Sequence, residues 1–245
     1  MTRLFALSFM FALLVASVCV AEQKFQTDVI RTQGGDLEIT LIGHGTLMFK
    51  FNGKVFHVDP WSKLADYSKL PKADVIVITH EHQDHLDVDT INKISTNKTV
   101  IVCNEKAHQK VPQGQVMKYG ATKDVNGVAI EAVPAYNMVH MRKPGEPYHP
   151  KGVGNGYIFT FGDKRVYVAG DTENTPEMKK LENIDVAFLP MNLPYTMTPE
   201  MVADAAKVFK PKVLYPYHTG DTDLSKLTGL MKGTDGVEVR LRNMK

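Results

Sequence analysis

Two cysteines, Cys19 and Cys103, are all that this 245-residue chain has, and its 29 basic residues nearly balance its 27 acidic ones. Low-complexity tracts, blocks of like charge and obvious repeats are absent, and so is any long apolar run beyond the N-terminal stretch. Each absence narrows the reading. So few cysteines cannot form a disulfide framework, so stability must come from packing or from bound metal. A near-neutral surface has no basic stripe for phosphates, which removes the electrostatic case for binding nucleic acid. Without linkers or repeats, the length suits one domain with a substantial core.

The N-terminal stretch reads MTRLFALSFMFALLVASVCVAEQ. Arg3 precedes an apolar run from Leu4 to about Val20, and Cys-Val-Ala stands before Glu22. This is the pattern of a cleaved secretory signal over residues 1–21, leaving a domain over 22–245. The alternative is an uncleaved membrane anchor, for which the run is short. Cleavage leaves Cys103 alone and takes the basic residues from 29 to 28 against 27 acidic, a net charge near +1. The expectation is a secreted or periplasmic protein with no stable membrane insertion after cleavage. Nothing in the sequence sets an oligomeric state.

Past the leader the rhythm is strand, turn, strand, then strands alternating with helices. DLEITLIG and TLMFKFNGKVFHVDP form a meander turning at Asn52-Gly53. ADVIVIT, residues 73–79, is continuously apolar, as a central strand covered on both faces would be. DVDTINKIST reads as a short helix capped by Asp87 or Asp89. TVIVC, GVAIEAV, DVAFLP and KVLYPY add strands, and GYIFTFGDKRVYVAG is a hairpin turning at Gly162-Asp163. In TPEMVADAAKVFK, Thr198 caps a helix, Pro199 enters its first turn, and Val202, Ala205, Ala206 and Phe209 mark one face. These elements predict two packed sheets with helices outside.

Possible metal ligands fall at strand ends: Asp59, His80, Asp171 and His218. Strand ends share a rim in such sheets, because the loops there converge. His80 opens HEHQDH, and His82, two residues on along an extended segment, projects the same way, so the pair can grip one metal. Asp84 and His85 follow as the chain turns, and can face a second metal with His218, while Asp171 offers one oxygen to each. Two metals about 3.5–4 Å apart would share a water, lower its pKa to near 7 and polarise an electrophile. Such ligands suit zinc best, with manganese, iron or nickel as alternatives.

HEHQDH (80–85), AGDTE (169–173) and PYHTG (216–220) resemble the metallo-β-lactamase fold superfamily across nearly the whole mature chain. GHGTLMF (43–49), VDP (58–60), VPAYN (133–137) and LPMNLPYTMTPE (189–200) look like its small stand-alone branch of metal-dependent hydrolases. That branch is related to ascorbate-6-phosphate lactonase. The resemblance implies an α/β fold, a four-layer αββα sandwich, and metal-dependent hydrolysis. Relatives commonly carry another metal histidine after a Pro-Ala-aromatic sequence, and here that position is Asn137. His149 is the expected replacement and His140 the second choice, with Asn137 left to orient the bridging water.

Other residues take lesser expected roles. Asp59 accepts the free N–H of a metal-bound imidazole. His44, in a tight Gly-His-Gly loop, lines the pocket or serves structure. Arg142, Lys143 and Lys151 are candidates to bind an anionic substrate. His57 and His108 are structural or surface groups, and Cys103 is a buried small hydrophobe. GVGNG (152–156) precedes a strand rather than opening a helix, so it is not a dinucleotide loop. The expected activity is hydrolysis of an ester, lactone, amide or phosphodiester of a small molecule, with Asp84 orienting the water. A non-catalytic metal-binding or sensing protein is the alternative.

Overall fold

The computed structural model describes residues 25–245, so the leader read over residues 1–21 lies outside the described residues. A meander opens the chain: β1 (Gln26–Thr32), β2 (Gly35–Gly43), β3 (Thr46–Phe51) and β4 (Lys54–Val58), all antiparallel. Then β5 (Val75–Val77), β6 (Val100–Cys103) and β7 (Gln115–Val116) join in parallel. The crossovers between them carry α1 (Val88–Ile94) and α2 (Glu105–His108). After residues 117–121 a second sheet begins with β8 (Thr122–Val125) and β9 (Val128–Ala135). The next connection holds a small hairpin, β10 (Met141–Lys143) with β11 (Glu146–Pro147). Then come β12 (Gly154–Phe161) and β13 (Lys164–Val168), antiparallel, and β14 (Val186–Pro190), β15 (Val213–Tyr217) and β16 (Glu238–Val239), parallel. Helices α3 (Pro199–Phe209) and α4 (Leu224–Met231) connect these last strands. Both seven-stranded sheets therefore have three antiparallel pairings followed by three parallel ones.

Alternation within the strands sorts the layers. Val75 and Val77 enter the core between the sheets, while Ile76 and Ile78 face Ile91 and Ile94 of α1. Central strand β5 is thus covered on both faces, as its continuous apolar run requires. Phe49 and Phe56 meet Phe161 edge-on between the sheets, each 5.5 Å between ring centroids, and Phe159 and Phe161 stack at 5.8 Å. Each such ring contributes about 1.5–3 kcal/mol by burial, and Phe161→Ala would cost about 3–5 kcal/mol. On the far side Val202, Ala205, Ala206 and Phe209 of α3 pack on Tyr167, Leu189 and Leu214. The order helix, sheet, sheet, helix is the four-layer αββα sandwich.

Local signals explain the boundaries. Asp87 accepts from the Thr90 N–H and starts α1, and Thr198 accepts from the Met201 N–H and starts α3. Asn52 and Gly53 both take positive φ, 48° and 72°, as the tight β3–β4 turn demands. Strands β1, β8 and β16 and helices α2 and α4 had no clear signature in the sequence. All three of those strands are edges, and β1 exposes part of both faces, so no period-two apolar pattern marks it.

Candidate metal centre

The carboxyl ends of the central strands of both sheets open on one rim, and the chemistry-bearing residues collect there. His80 follows β5 with its ring buried, and His82 brings Nδ1 to 3.0 Å from His80 Nε2. From the other sheet His149, on the β9–β12 connection, places its ring 5.2 Å from that of His80 and 5.1 Å from that of His82. These three form one group whose ligand atoms lie within 4.8 Å of one another. His44, Asp84, His85 and His218 form a second. Asp171 stands between: Oδ2 is 3.3 Å from His149 Nε2 and 3.6 Å from His218 Nε2, while Oδ1 is 3.4 Å from His85 Nε2.

These spacings fit a metal. Ligands of a tetrahedral ion with bonds of about 2.0–2.1 Å stand about 3.3–3.4 Å apart. In the second group Asp84 Oδ2 is 3.6 Å from His85 Nε2 and 3.5 Å from His218 Nε2, close to that edge length. Three atoms aimed into the group, His85 Nε2, His218 Nε2 and Asp171 Oδ1, are buried with no hydrogen-bond partner. Such orphaned polar atoms are costly unless something binds them. A cation satisfies nitrogen lone pairs and carboxylate oxygens together.

The field points the same way. Burial works against a charge on His85, yet Asp171, Asp59 and Asp84 hold its pKa up to about 10, so the three carboxylates favour a cation in their midst. Burial also opposes ionisation of Asp171, but His218, His85 and His149 hold it well below the usual carboxylate range. Asp84 is held far down in the same sense by His218, His44 and His85. His80 is pushed the other way, by burial and then by His85, and so is a neutral imidazole ready to donate a lone pair.

The outer nitrogens of the imidazoles are also occupied. Asp59, fully buried after β4, accepts from the Thr79 N–H at 2.8 Å and from the Thr79 hydroxyl at 2.6 Å. Its Oδ2 also lies 2.8 Å from His85 Nδ1, which leaves Nε2 facing Asp171. Thr79 Oγ1 is 3.0 Å from His80 Nδ1. His44 Nε2 is 3.0 Å from Asp84 Oδ2, and its backbone carbonyl accepts from the His218 N–H. The Gly-His-Gly loop has a steric reason: a Cβ on Gly45 would stand 2.7 Å from His85 Cε1.

Three expectations need correcting. Asn137 does not face a shared water, because its amide is committed to His149, Glu173 and the Tyr195 carbonyl. His140 stays out of both groups, its Nδ1 lying 2.8 Å from Glu173 Oε1. Of the three loop cations, Lys143 pairs with Glu146 and Lys151 with Glu177, and only Arg142 lines the cleft over the histidines. His57 is buried against the Pro71 carbonyl, His108 meets the Gly114 carbonyl, and Cys103 is fully buried. Sequence reasoning missed Thr79, Glu173, Tyr148, Asn192 and Tyr195. The cleft, about 340 Å³, is lined by Arg142, Tyr148, Asn192 and Tyr195 above His82, Asp84, His149, Asp171 and His218.

Known proteins resemble this chain over most of its length. The beta-lactamase superfamily domain matches residues 38–218. A UPF0173 metal-dependent hydrolase of Bacillus thuringiensis is 31% identical over 194 residues, 74% of this chain and 85% of its own. One from Solibacter usitatus is 29% identical over 197 residues, 75% of this chain and 85% of its own. Among crystal structures, a candidate metal-dependent hydrolase from Parabacteroides distasonis has a TM-score of 0.86 and 48% identity, covering 91% of this chain and all of that one. Igni18, a metallo hydrolase from Ignicoccus hospitalis, has a TM-score of 0.71 and 25% identity, covering 84% and 95%.

Proposed function

The chain belongs to the metallo-β-lactamase superfamily and, within it, to the UPF0173 metal-dependent hydrolases, and from that premise we propose a dinuclear hydrolase acting on a small molecule. The carrying observation is the placement of Asp171 between two histidine groups, with orphaned nitrogens aimed at it. His80, His82 and His149 would hold one ion, Asp84, His85 and His218 the other, and Asp171 both. Two divalent ions there, most suitably zinc with manganese, iron or nickel as alternatives, would supply Lewis acidity and lower the pKa of a bound water.

The chain's own groups do the rest. Asp84, steadied by His44 through Oδ2, orients the attacking water. The cleft admits the scissile ester, lactone, amide or phosphodiester. Arg142 has a cation–π contact with Tyr148, at 5.3 Å, and no carboxylate partner among the described residues, so it selects substrates with an anionic group. Tyr148 and Tyr195, ring centroids 5.1 Å apart, offer the remainder an aromatic wall. The signal-like pattern of residues 1–21 supports a secreted or periplasmic setting for this activity.

The test is reconstitution of the mature protein with each metal, followed by elemental analysis and turnover on neutral and anionic activated esters, lactones, amides and phosphodiesters. Two ions per chain with turnover is the expected result. Arg142→Gln should lower kcat/KM for anionic substrates about 10- to 100-fold and spare neutral ones. One ion or none would sink the dinuclear reading. Two ions without turnover would favour a non-catalytic metal-binding or sensing role.

A further inference from the structure

Asn137 occupies the position where the family resemblance leads one to expect a histidine, yet it is not idle. Its side chain is buried and every polar atom is used. Oδ1 accepts from the His149 backbone N–H at 3.1 Å and lies 2.6 Å from His149 Nδ1. Nδ2 donates to Glu173 Oε1 at 3.1 Å and to the Tyr195 carbonyl at 2.9 Å. The backbone joins in, with the Asn137 N–H donating to the His149 carbonyl at 2.8 Å.

Only one orientation of this amide is chemically consistent. Reversing it would turn the NH₂ against the His149 backbone N–H and the oxygen against a carboxylate and a carbonyl. With Oδ1 facing His149, the nitrogen 2.6 Å away must carry the proton, since two acceptors would repel at that distance. The lone pair is then left on Nε2, which lies 3.3 Å from Asp171 Oδ2 inside the cluster.

Glu173 anchors the arrangement. It is fully buried, and its Oε2 accepts from the N–H groups of Met138, at 2.7 Å, and Val139, at 2.8 Å. Oε1 accepts from the His140 N–H at 2.6 Å as well as from Asn137. Three consecutive backbone donors thus wrap one carboxylate at the root of the loop that ends in His149. Its acceptor oxygen is what obliges the Asn137 amide to present NH₂ on that side. The same wrapping draws the His140 ring to Glu173, which explains why the nearer histidine in sequence does not reach the cluster.

We propose that Asn137 and Glu173 are positioning residues that convert His149 into the ligand missing at position 137, by holding it as the Nδ1–H tautomer with Nε2 toward Asp171. The ligand role of His149 rests on the dinuclear reading above; the tautomer does not. Two measurements separate them.

The first is long-range ¹H–¹⁵N spectroscopy of the metal-free wild-type protein, with the His149 ring assigned by its loss in His149→Ala. A protonated Nδ1 is expected, and a predominantly Nε2–H ring would overturn the proposal without any variant having to fold. In Asn137→Ala the ring should become a tautomer mixture. The second is competitive zinc titration. Asn137→Ala should weaken the ion at His80, His82 and His149 about 10- to 100-fold, with the Asp84–His85–His218 ion as an internal control for folding. Glu173→Gln, whose amide cannot accept from all four donors, should weaken the same ion by a smaller factor. Asn137→Ala combined with His149→Ala should lose no more than His149→Ala alone, because the effect passes through one ring. Full additivity, or affinity within about twofold of wild type in Asn137→Ala, would overturn the proposal. A wild-type protein that binds fewer than two ions but shows the Nδ1–H ring would instead sink the dinuclear reading and keep the positioning.

Discussion

The two sheets follow one pairing plan but supply the rim differently. In the first, the connection between its second and third strands is only His44-Gly45, and the His44 ring meets Asp84 and, 3.7 Å away between centroids, His218. In the second, the corresponding connection runs over residues 136–153 and carries Asn137, the β10–β11 hairpin and His149. After the fourth strand the first sheet places Asp59, buried beneath His85, and the second places Asp171, between the two histidine groups. After the fifth, the first delivers His80 through His85 in one run, and the second Asn192, 3.4 Å from His218 Nδ1, and Tyr195 on the cleft wall. One scaffold geometry thus supplies equivalent loop positions, and small differences in reach decide which residue faces the candidate metal centre and which supports it from behind.

Exchanging the roles of the two aspartates breaks this comparison most sharply. Asp171→Ala removes the group shared by both halves and should cut turnover at least about 10³-fold. Elemental analysis should show both ions depleted; retention of two ions would take Asp171 out of the joint.

Asp59→Asn should act more gently, since Asp59 reaches the rim only through His85 and Thr79. Affinity for the ion at Asp84, His85 and His218 should fall about 10- to 100-fold, with the other ion nearly spared. Chelator competition reads both, and a loss confined to the His80 side would reverse the assignment.

The smallest effect, nil at neutral pH, lies away from the rim. His57 and Tyr167 occupy the fourth position of β4 and β13, and each buries a polar atom without a partner. Burial, partly offset by the Pro71 carbonyl, lowers the His57 pKa to about 4, against 6.5 in the unfolded chain. The unfolded chain therefore takes up a proton that the folded one refuses, and up to about 3 kcal/mol of stability is lost as pH falls from about 6.5 to 4. Burial raises the Tyr167 hydroxyl above its ordinary value, so its loss comes as pH rises past 10. In urea titrations across pH, His57→Phe should flatten only the acid side of the stability curve and Tyr167→Phe only the alkaline side. An unchanged acid slope in His57→Phe would refute the linkage.

How much could be read from the sequence follows the same division. Where one crossover delivers several groups in a row, as in HEHQDH, residue type and spacing are enough. Asp171 and His218 arrive singly and were legible only because each ends an apolar strand. The αββα layers showed in the alternation of buried strands and the face of α3. Glu173 and Thr79 did not show: Glu173 stands 36 residues from Asn137 in sequence, and its role depends on three backbone donors that no composition reveals. The long connection left two candidates, His149 first and His140 second, because the order of the two along the chain says nothing of which ring Glu173 captures; the structure brings His149 to the cluster. Edge strands such as β1, with neither face fully covered, lack the pattern that a buried strand must have.

The passage between the sheets, residues 117–121, can be considered as a place to divide the molecule. It is pinned at both ends, the Met117 N–H to the Cys103 carbonyl and the Gly120 N–H to the Ala132 carbonyl. A polypeptide cut here would give two fragments, each with a full sheet and an incomplete ligand set. Neither alone would hold the full ligand set proposed for either ion, and each would leave its Phe-rich inner face uncovered. Chelation would then report reunion of the two pieces, making the site a coincidence detector that answers only when both are present.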